Sequence, residues 1–377
     1  MTERRSAFNP TIHGSRGLFA MMVFVYHVAH SGLSTFSFLQ GSAFDLYFLH
    51  SLQFGVELFF GISGYVIVGA LARAPTLRAF LWDRATRIYP LLWLTLIAIT
   101  LFALTFGRWL PPLGDWFLNF AAPPPFFPLP QVNPAAWSLG YELTFYALCA
   151  LCWGLRRRMP KAWLAVAIGI GAILLVFFPR AILMPAGVLI ATGKLDRPAL
   201  RRIAMFPGLA LLVFLLGWRM LDLARGGDIM TLNPLQMPFG AWAATVPLML
   251  GTALAGALAL LGIASQQGLF CRLMRTSVLQ WLGTVSYSFY LWHPVVMGFA
   301  KQMLRTTGAL TAAGHGSQLL FAAVSLPPAL LIAHYSQRWI EVRLTRFLRR
   351  LGPEGRKAKA PITASVDAGA PLAAPAP

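Results

Sequence analysis

Charged side chains are scarce in this chain. Only 11% of its 377 residues are Asp, Glu, Lys or Arg, against about a quarter in a typical soluble protein. Hydrophobic residues make up 57% of the sequence, and the mean hydropathy is +0.65. A soluble protein of this length needs more polar surface than these residues supply, so the composition predicts a membrane protein.

Cysteine and acidic residues are also few. The three cysteines, Cys149, Cys152 and Cys271, cannot pair fully, so we predict packing residues and no disulfide or metal framework. The 12 acidic residues against 31 Lys and Arg give a net charge of +19, which on a soluble protein would indicate nucleic acid. Here the excess lies in short loops between apolar runs. We therefore attribute it to topology and anionic lipid, and predict no nucleic-acid partner.

Apolar runs close to the length that crosses about 30 Å of hydrocarbon as a helix recur along the chain. The predicted spans are 16–33, 52–72, 87–107, 136–155, 162–178, 180–193, 203–219, 241–263, 279–300 and 318–336. If the amino terminus is cytoplasmic, 25 of the 31 Lys and Arg fall on the cytoplasmic side. The predicted fold class is an all-α, polytopic membrane helix bundle of about ten transmembrane helices with both termini cytoplasmic.

The predicted domain organisation is simple. Residues 1–351 form one membrane-embedded domain, and residues 352–377, rich in Ala and Pro, form a disordered cytoplasmic tail. The longest outer loop, residues 108–135, contains eight prolines, which favour a stiff, non-helical cover over the outer mouth. The first apolar run is predicted to stay as a helix, because no convincing signal-peptide cleavage site follows it.

The first span, in SRGLFAMMVFVYH, begins with Arg16 and ends with His27. Residues 11 apart on a helix differ by about 20° in rotation and about 16 Å along the axis, so both lie on one face. Arg16 is predicted at the cytoplasmic edge and His27 in the outer half. Polar groups in lipid-buried helices are costly and are functional candidates; the alternative is that His27 only ties helices together by hydrogen bonds.

Three more ionisable groups lie inside predicted spans. Glu57 in GVELFFGISGY and Glu142 in WSLGYELTFY enter from the outer side, and His293 in SYSFYLWHPV ends in the outer half with Tyr290 on its face. With His27, four groups able to move protons are thus predicted at similar depth on four helices. A histidine oriented by a buried carboxylate can act as a general base that deprotonates a hydroxyl.

The stretch WDRATRIYP places Arg84 and Arg87 three residues apart near the cytoplasmic start of the third span. Guanidinium groups at this spacing suit a phosphate, although arginines are also common in any cytoplasmic loop. Together with Arg16 they predict a phosphate-binding rim that faces the cytosol.

These motifs together resemble the acyltransferase-3 family of integral-membrane acyltransferases, over roughly residues 10 to 350. The family's arginine, ten residues, histidine signature matches Arg16 and His27, and its paired arginines match Arg84 and Arg87. The other matches are the Trp-Ser motif with its glutamate (Trp137, Ser138, Glu142), GVELFFGISGY, SYSFYLWHPV and the closing segment YSQRWIE at 335–341. Some members carry an additional extracytoplasmic domain, which we do not expect in this protein.

The resemblance implies an O-acetyltransferase of a bacterial inner membrane with no tightly bound cofactor. Acyl-CoA, commonly acetyl-CoA, is the implied donor. The acceptor is a carbohydrate such as a lipopolysaccharide or exopolysaccharide, and a glycan-biosynthesis protein is a possible partner. His27 is the expected general base, assisted by Glu142 or Glu57. Ser138, Tyr290 or His293 is expected to steady the oxyanion, with Trp137 in the substrate site.

A proton-coupled transporter is the alternative from another class. It explains buried acids and bases at one depth. It also predicts inverted repeats and helices broken at matching positions of two halves, which the sequence does not contain. A purely structural membrane subunit would not need ionisable groups on four helices.

Overall fold

The structure, a computed structural model, describes residues 8–353 apart from residues 37, 123, 124, 126, 128, 225 and 227–237. The described residues form helices and contain no β-strand. The helices are α1 (Pro10–Ala29), α2 (Gly55–Arg73), α3 (Leu77–Thr105), α4 (Leu113–Asn119), α5 (Trp137–Arg158), α6 (Trp163–Phe177), α7 (Leu183–Ala191), α8 (Pro198–Ile203), α9 (Pro207–Ala224), α10 (Phe239–Ser265), α11 (Gly268–Met274), α12 (Ser277–Thr306), α13 (Ala309–Ala313), α14 (Ser317–Ser336) and α15 (Thr345–Leu351).

Each predicted apolar run coincides with a helix of the described residues, so the all-helical prediction is confirmed. Within the described residues, five helical stretches are long and apolar enough to cross a membrane by length and composition. They are Phe44–Arg73, Leu77–Thr105, Pro207–Ala224, Phe239–Ser265 and Ala309–Leu351. Helices α6 and α7 are apolar but shorter. The count of ten crossings and the cytoplasmic termini stay predictions.

The proline-rich loop contains a helix that the sequence did not predict, so the non-helical prediction is wrong over α4. The Asn119 amide at the end of α4 donates to the Pro130 carbonyl oxygen at 3.1 Å and accepts from the Val132 N–H at 2.9 Å. These bonds hold the returning chain against α4. The predicted disordered tail lies outside the described residues from residue 354 onward.

Helix α1 begins six residues earlier than the hydropathy predicted. The Asn9 side chain caps it by accepting from the N–H groups of Thr11 and Ile12 at 3.0 and 3.1 Å, and Pro10 occupies the first turn. Arg16 therefore lies in the second turn of the helix, inside the bundle.

Helices α1 and α12 pack at close range because glycines line their contact. A Cβ atom added to Gly17 would lie 2.6 Å from the Leu282 Cβ, and one added to Gly283 would lie 2.2 Å from the His13 carbonyl oxygen. Only glycine permits this separation. The close packing brings the His27 end of α1 next to His293 on α12.

Helices α2 and α7 form a similar glycine seam. A Cβ on Gly64 would lie 2.0 Å from the Met184 carbonyl oxygen, and one on Gly187 would lie 2.0 Å from the Gly61 carbonyl oxygen. The two backbones therefore touch along this line.

Replacing Gly187 by alanine is expected to destabilise the bundle by about 1–3 kcal/mol, because the new methyl overlaps a main-chain oxygen that cannot move alone. Thermal unfolding of the detergent-solubilised protein measures the change. Gly171→Ala in α6 is the matched control, since nothing lies within 4 Å of its added Cβ. Equal unfolding temperatures for the two variants would contradict the seam.

Candidate active site

A cavity of about 110 Å³ lies between α1, α2, α3, α5 and α12. Five of the predicted site residues line it: Arg16, Arg87, Ser138, Glu142 and Tyr290. Ser63, Tyr146, Ser286 and Tyr287 add hydroxyl groups, and the rest of the wall is apolar. We call this space the inner cavity. The structure thus assembles, from five helices, residues that are far apart in the sequence.

Glu142 is fixed on one side of the inner cavity. Its Oε1 atom accepts a hydrogen bond from the Ser63 hydroxyl at 3.0 Å and another from the Tyr146 hydroxyl. Tyr146 is one turn further along α5, so the local helix supplies one donor and α2 supplies the other. The carboxylate is therefore oriented by two neighbours and lies within electrostatic reach of Arg16.

The two arginines of α3 have different surroundings. Arg87 lines the inner cavity. Arg84 is buried, pairs with Asp83 and lies 5.8 Å from the centre of the Tyr146 ring. Asp83 also binds Arg349 of α15 at 2.6 Å. A spacing of three residues turns a side chain by about 60° around a helix, which separates the two guanidinium groups.

Glu341 was not predicted as a site residue. It lies in the π-helical segment Gln337–Leu344 between α14 and α15, and its Oε1 atom accepts from the Ser288 N–H at 3.0 Å and the Ser288 hydroxyl at 2.5 Å. It is within electrostatic reach of Arg16 and Arg87. Two features of the sequence could have indicated Glu341. It ends the closing motif YSQRWIE, and it is the one acidic residue in the otherwise apolar and basic segment QRWIEVRL. π-Helical segments are frequent at functional sites.

Ser138 and Tyr290 bridge α5 and α12 at the wall of the inner cavity. Their hydroxyl oxygens are 2.9 Å apart, and the Ser138 hydroxyl also donates to the Ala135 carbonyl oxygen at 3.2 Å. Since a carbonyl oxygen only accepts, Tyr290 donates to Ser138. Both hydroxyl hydrogens are therefore already engaged in hydrogen bonds. An oxyanion in the cavity could accept a hydrogen bond from Ser138 or Tyr290 only if that hydroxyl gave up its present acceptor.

The two predicted histidines lie next to each other, one turn of α12 beyond the inner cavity. The ring centres of His27 and His293 are 5.2 Å apart. His293 is fully buried, and its Nδ1–H donates to the Phe289 carbonyl oxygen at 3.1 Å. The Nε2 atom of the neutral ring then carries a lone pair, and it has no hydrogen-bond partner among the described residues.

Buried Glu57 and half-buried Trp137 lie around Arg180 and do not line the inner cavity. Glu57 forms a buried ion pair with Arg180, and the Arg180 guanidinium lies 4.2 Å from the centre of the Trp137 ring. Arg180 is the first residue of the predicted span 180–193, and no role was predicted for it from the sequence. The carboxylate of Glu57 is therefore charge-compensated by a partner that the sequence did not identify.

The inner cavity and the histidine pair adjoin through one turn of α12. Tyr290 lines the cavity, and its ring centre is 6.0 Å from that of His293. Helix α1 runs alongside, with Arg16 at the cavity and His27 beside His293. Neither His27 nor His293 lines the inner cavity, and Tyr290 lies between the cavity and the imidazole pair.

Comparison with known proteins identifies relatives of this chain over most of its length. A family model described as an acyltransferase domain matches residues 9–334. The acyltransferase MdmB of Streptomyces mycarofaciens is 26% identical over 328 residues, which cover 78% of this chain and 80% of the relative. The exopolysaccharide production protein ExoZ of Rhizobium meliloti strain 1021 is 28% identical over 296 residues, which cover 74% and 86%. No solved structure matches the chain significantly.

Proposed function

The chain belongs to the acyltransferase-3 family, and from this premise we propose that it transfers an acetyl group from cytoplasmic acetyl-CoA to a glycan hydroxyl. The glycan is extracytoplasmic or lipid-linked. Membership and the apolar helices make the protein a membrane acyltransferase. ExoZ supports a sugar acceptor, since its name refers to exopolysaccharide production. Both relatives come from bacteria, which favours a bacterial inner membrane.

The observation that carries the proposal is the placement of two arginines in the inner cavity and of the histidine pair one turn of α12 beyond it. Arg16 and Arg87 supply cationic donors suited to the phosphates of a coenzyme A. The inner cavity, at about 110 Å³, is smaller than the roughly 300 Å³ at the lower end for ligand sites. It therefore suits the narrow thioester arm, with the nucleotide end remaining on the cytoplasmic side.

The proposed reaction uses His27 as general base. His27 removes the proton from the acceptor hydroxyl while that oxygen attacks the thioester carbonyl carbon. The C–S bond then breaks, and the histidinium returns the proton to the leaving thiolate, so the products are the O-acyl glycan and the coenzyme A thiol. The unpartnered Nε2 of His293, beside the His27 ring, offers its lone pair as a hydrogen-bond acceptor to the acceptor hydroxyl or to His27.

The carboxylate that assists His27 is either Glu142 or Glu57. Glu142 lines the inner cavity and is oriented by Ser63 and Tyr146. Glu57 is paired with Arg180, which gives it a structural use independent of catalysis. These surroundings favour Glu142 as the assisting group.

The proposal is tested with purified protein in lipid bilayers and acetyl-labelled acetyl-CoA. We expect saturable binding, slow hydrolysis without acceptor, and transfer of label to a hydroxyl of a lipid-linked or exported glycan when envelope glycan fractions are added. Transfer from palmitoyl-CoA, measured in the same way, reports whether the inner cavity selects an acetyl group over a long acyl chain. Absence of acyl-CoA binding by the folded protein would overturn the proposal.

Arg87→Gln is expected to raise the KM for acetyl-CoA by about tenfold or more, because a charge-assisted hydrogen bond contributes about 1.5–3 kcal/mol. Arg84→Gln is the matched comparison: Arg84 pairs with Asp83, so its loss is expected to lower thermal stability with a smaller change in KM. Initial rates over a range of donor concentrations measure both. A larger KM increase for Arg84→Gln than for Arg87→Gln would reverse the assignment.

A further inference from the structure

A second and larger cavity, of about 1200 Å³, lies between the start of α1 and the ends of α2, α7 and α10. These helix ends are all on the side that the distribution of Lys and Arg predicts to be cytoplasmic. The volume exceeds the upper end of small-molecule sites, about 1000 Å³. The proposed acyl transfer uses none of its lining residues.

Helix α2 separates this cavity from the inner cavity. Ser63 and Val66 line the inner cavity, whereas Tyr65 and Val68 line the second. Helices α2 and α7 touch at backbone level along the Gly64 and Gly187 seam. Since α2 lies between the two cavities and the arginines of the proposed donor site line the inner one, we assign the acyl donor to the inner cavity and a different occupant to the second.

The lining of the second cavity is amphipathic. Its deep wall includes the buried apolar side chains of Ile190 and Leu261. Its rim carries Arg73, Arg201 and Asp196, whose formal charges sum to +1, and Arg201 donates to the Asp196 carboxylate at 2.7 Å. The rim segment also contains Lys194, Arg197 and Arg202. This chemistry fits a ligand with one anionic head and an apolar chain.

We propose that the second cavity binds an anionic phospholipid of the cytoplasmic leaflet. The phosphate diester contacts Arg73 and Arg201, and an acyl chain lies along Val68, Ile190 and Leu261. Basic pockets between membrane helices on the cytoplasmic side are a recurrent means of binding such head groups. The lipid does not react; it fills the space between α2, α7 and α10 and stabilises their packing.

The test measures lipid binding to the purified full-length protein in detergent by native mass spectrometry. Phosphatidylglycerol is titrated against phosphatidylcholine of the same acyl chains. We expect saturable binding of phosphatidylglycerol, weakened about fivefold for each of Arg73→Gln and Arg201→Gln. Arg158→Gln, at the exposed end of α5, is the matched control and should bind as the wild type does.

A second variant separates the cavity from surface charge. Ala191→Trp fills the cavity from its half-buried wall while keeping both arginines, and it is expected to abolish saturable binding. Equal affinity for phosphatidylcholine, an equal loss in Arg158→Gln, or wild-type binding by a folded Ala191→Trp would overturn the proposal. Displacement of the lipid by acetyl-CoA, but not by inorganic phosphate, would instead make this cavity the donor site and also overturn it.

Discussion

His27→Ala is expected to lower the rate of acetyl transfer by about 10²–10⁴-fold while acetyl-CoA binding is unchanged. A positioned general base contributes a factor of this size, and His27 lies beside His293, while Arg16 in the second turn of α1 and Arg87 on α3 line the inner cavity. Removing the imidazole leaves the arginines in place, so donor affinity persists. Equilibrium binding and single-turnover transfer, measured on the same preparation, separate the two effects.

His30→Ala is the matched control for this experiment. His30 follows His27 by one turn, is exposed, and its Nδ1–H donates to the Tyr26 carbonyl oxygen at 2.9 Å. It lies just past the last residue of α1, and its ring packs against those of Tyr26 and His50, whereas the His27 ring packs against His293, so its loss should leave transfer near the wild-type rate. If both variants lost activity equally, the effect would be one of α1 folding. If His27→Ala lost donor binding, His27 would be a binding residue.

The positions of the helices were predictable because lipid imposes one requirement on every spanning segment, a sustained apolar run. Helix ends were less predictable. Helix α3 starts at Leu77, ten residues before the predicted span. Its first turns are held to α15: Trp82 donates to the Leu348 carbonyl oxygen at 3.0 Å, and Asp83 binds Arg349. Hydropathy does not detect a helix end that is fixed by bonds to another helix.

The site was predictable to the level of a helix face, and no further. The eleven-residue spacing placed Arg16 and His27 on one side of α1, and both approach α12. Partners across helices depend on rotation and depth, which a single helical period does not fix. The bond from Ser63 to Glu142 and the pair of Glu57 with Arg180 therefore appear only in three dimensions.

Arg180→Gln is expected to destabilise the protein by about 3–5 kcal/mol, because it leaves the Glu57 carboxylate buried without its counter-charge. Glu57 has no exposed surface, so water cannot replace the guanidinium. The double variant Glu57→Gln with Arg180→Gln removes both charges and is expected to recover much of the loss. Thermal unfolding of the solubilised variants measures this coupling.

The activity of the double variant then decides the role of Glu57. If the Glu57–Arg180 ion pair only holds α2 to the segment Pro179–Ile182 before α7, the folded double variant retains acetyl transfer. If Glu57 assists His27 chemically, the double variant is stable yet inactive, and Glu142→Gln is the less damaged variant in comparison. Stability alone would not distinguish these outcomes, since both begin with the same buried ion pair. Because two neutral amides restore the charge balance without restoring a base, the combined measurement separates a carboxylate that catalyses from one that packs.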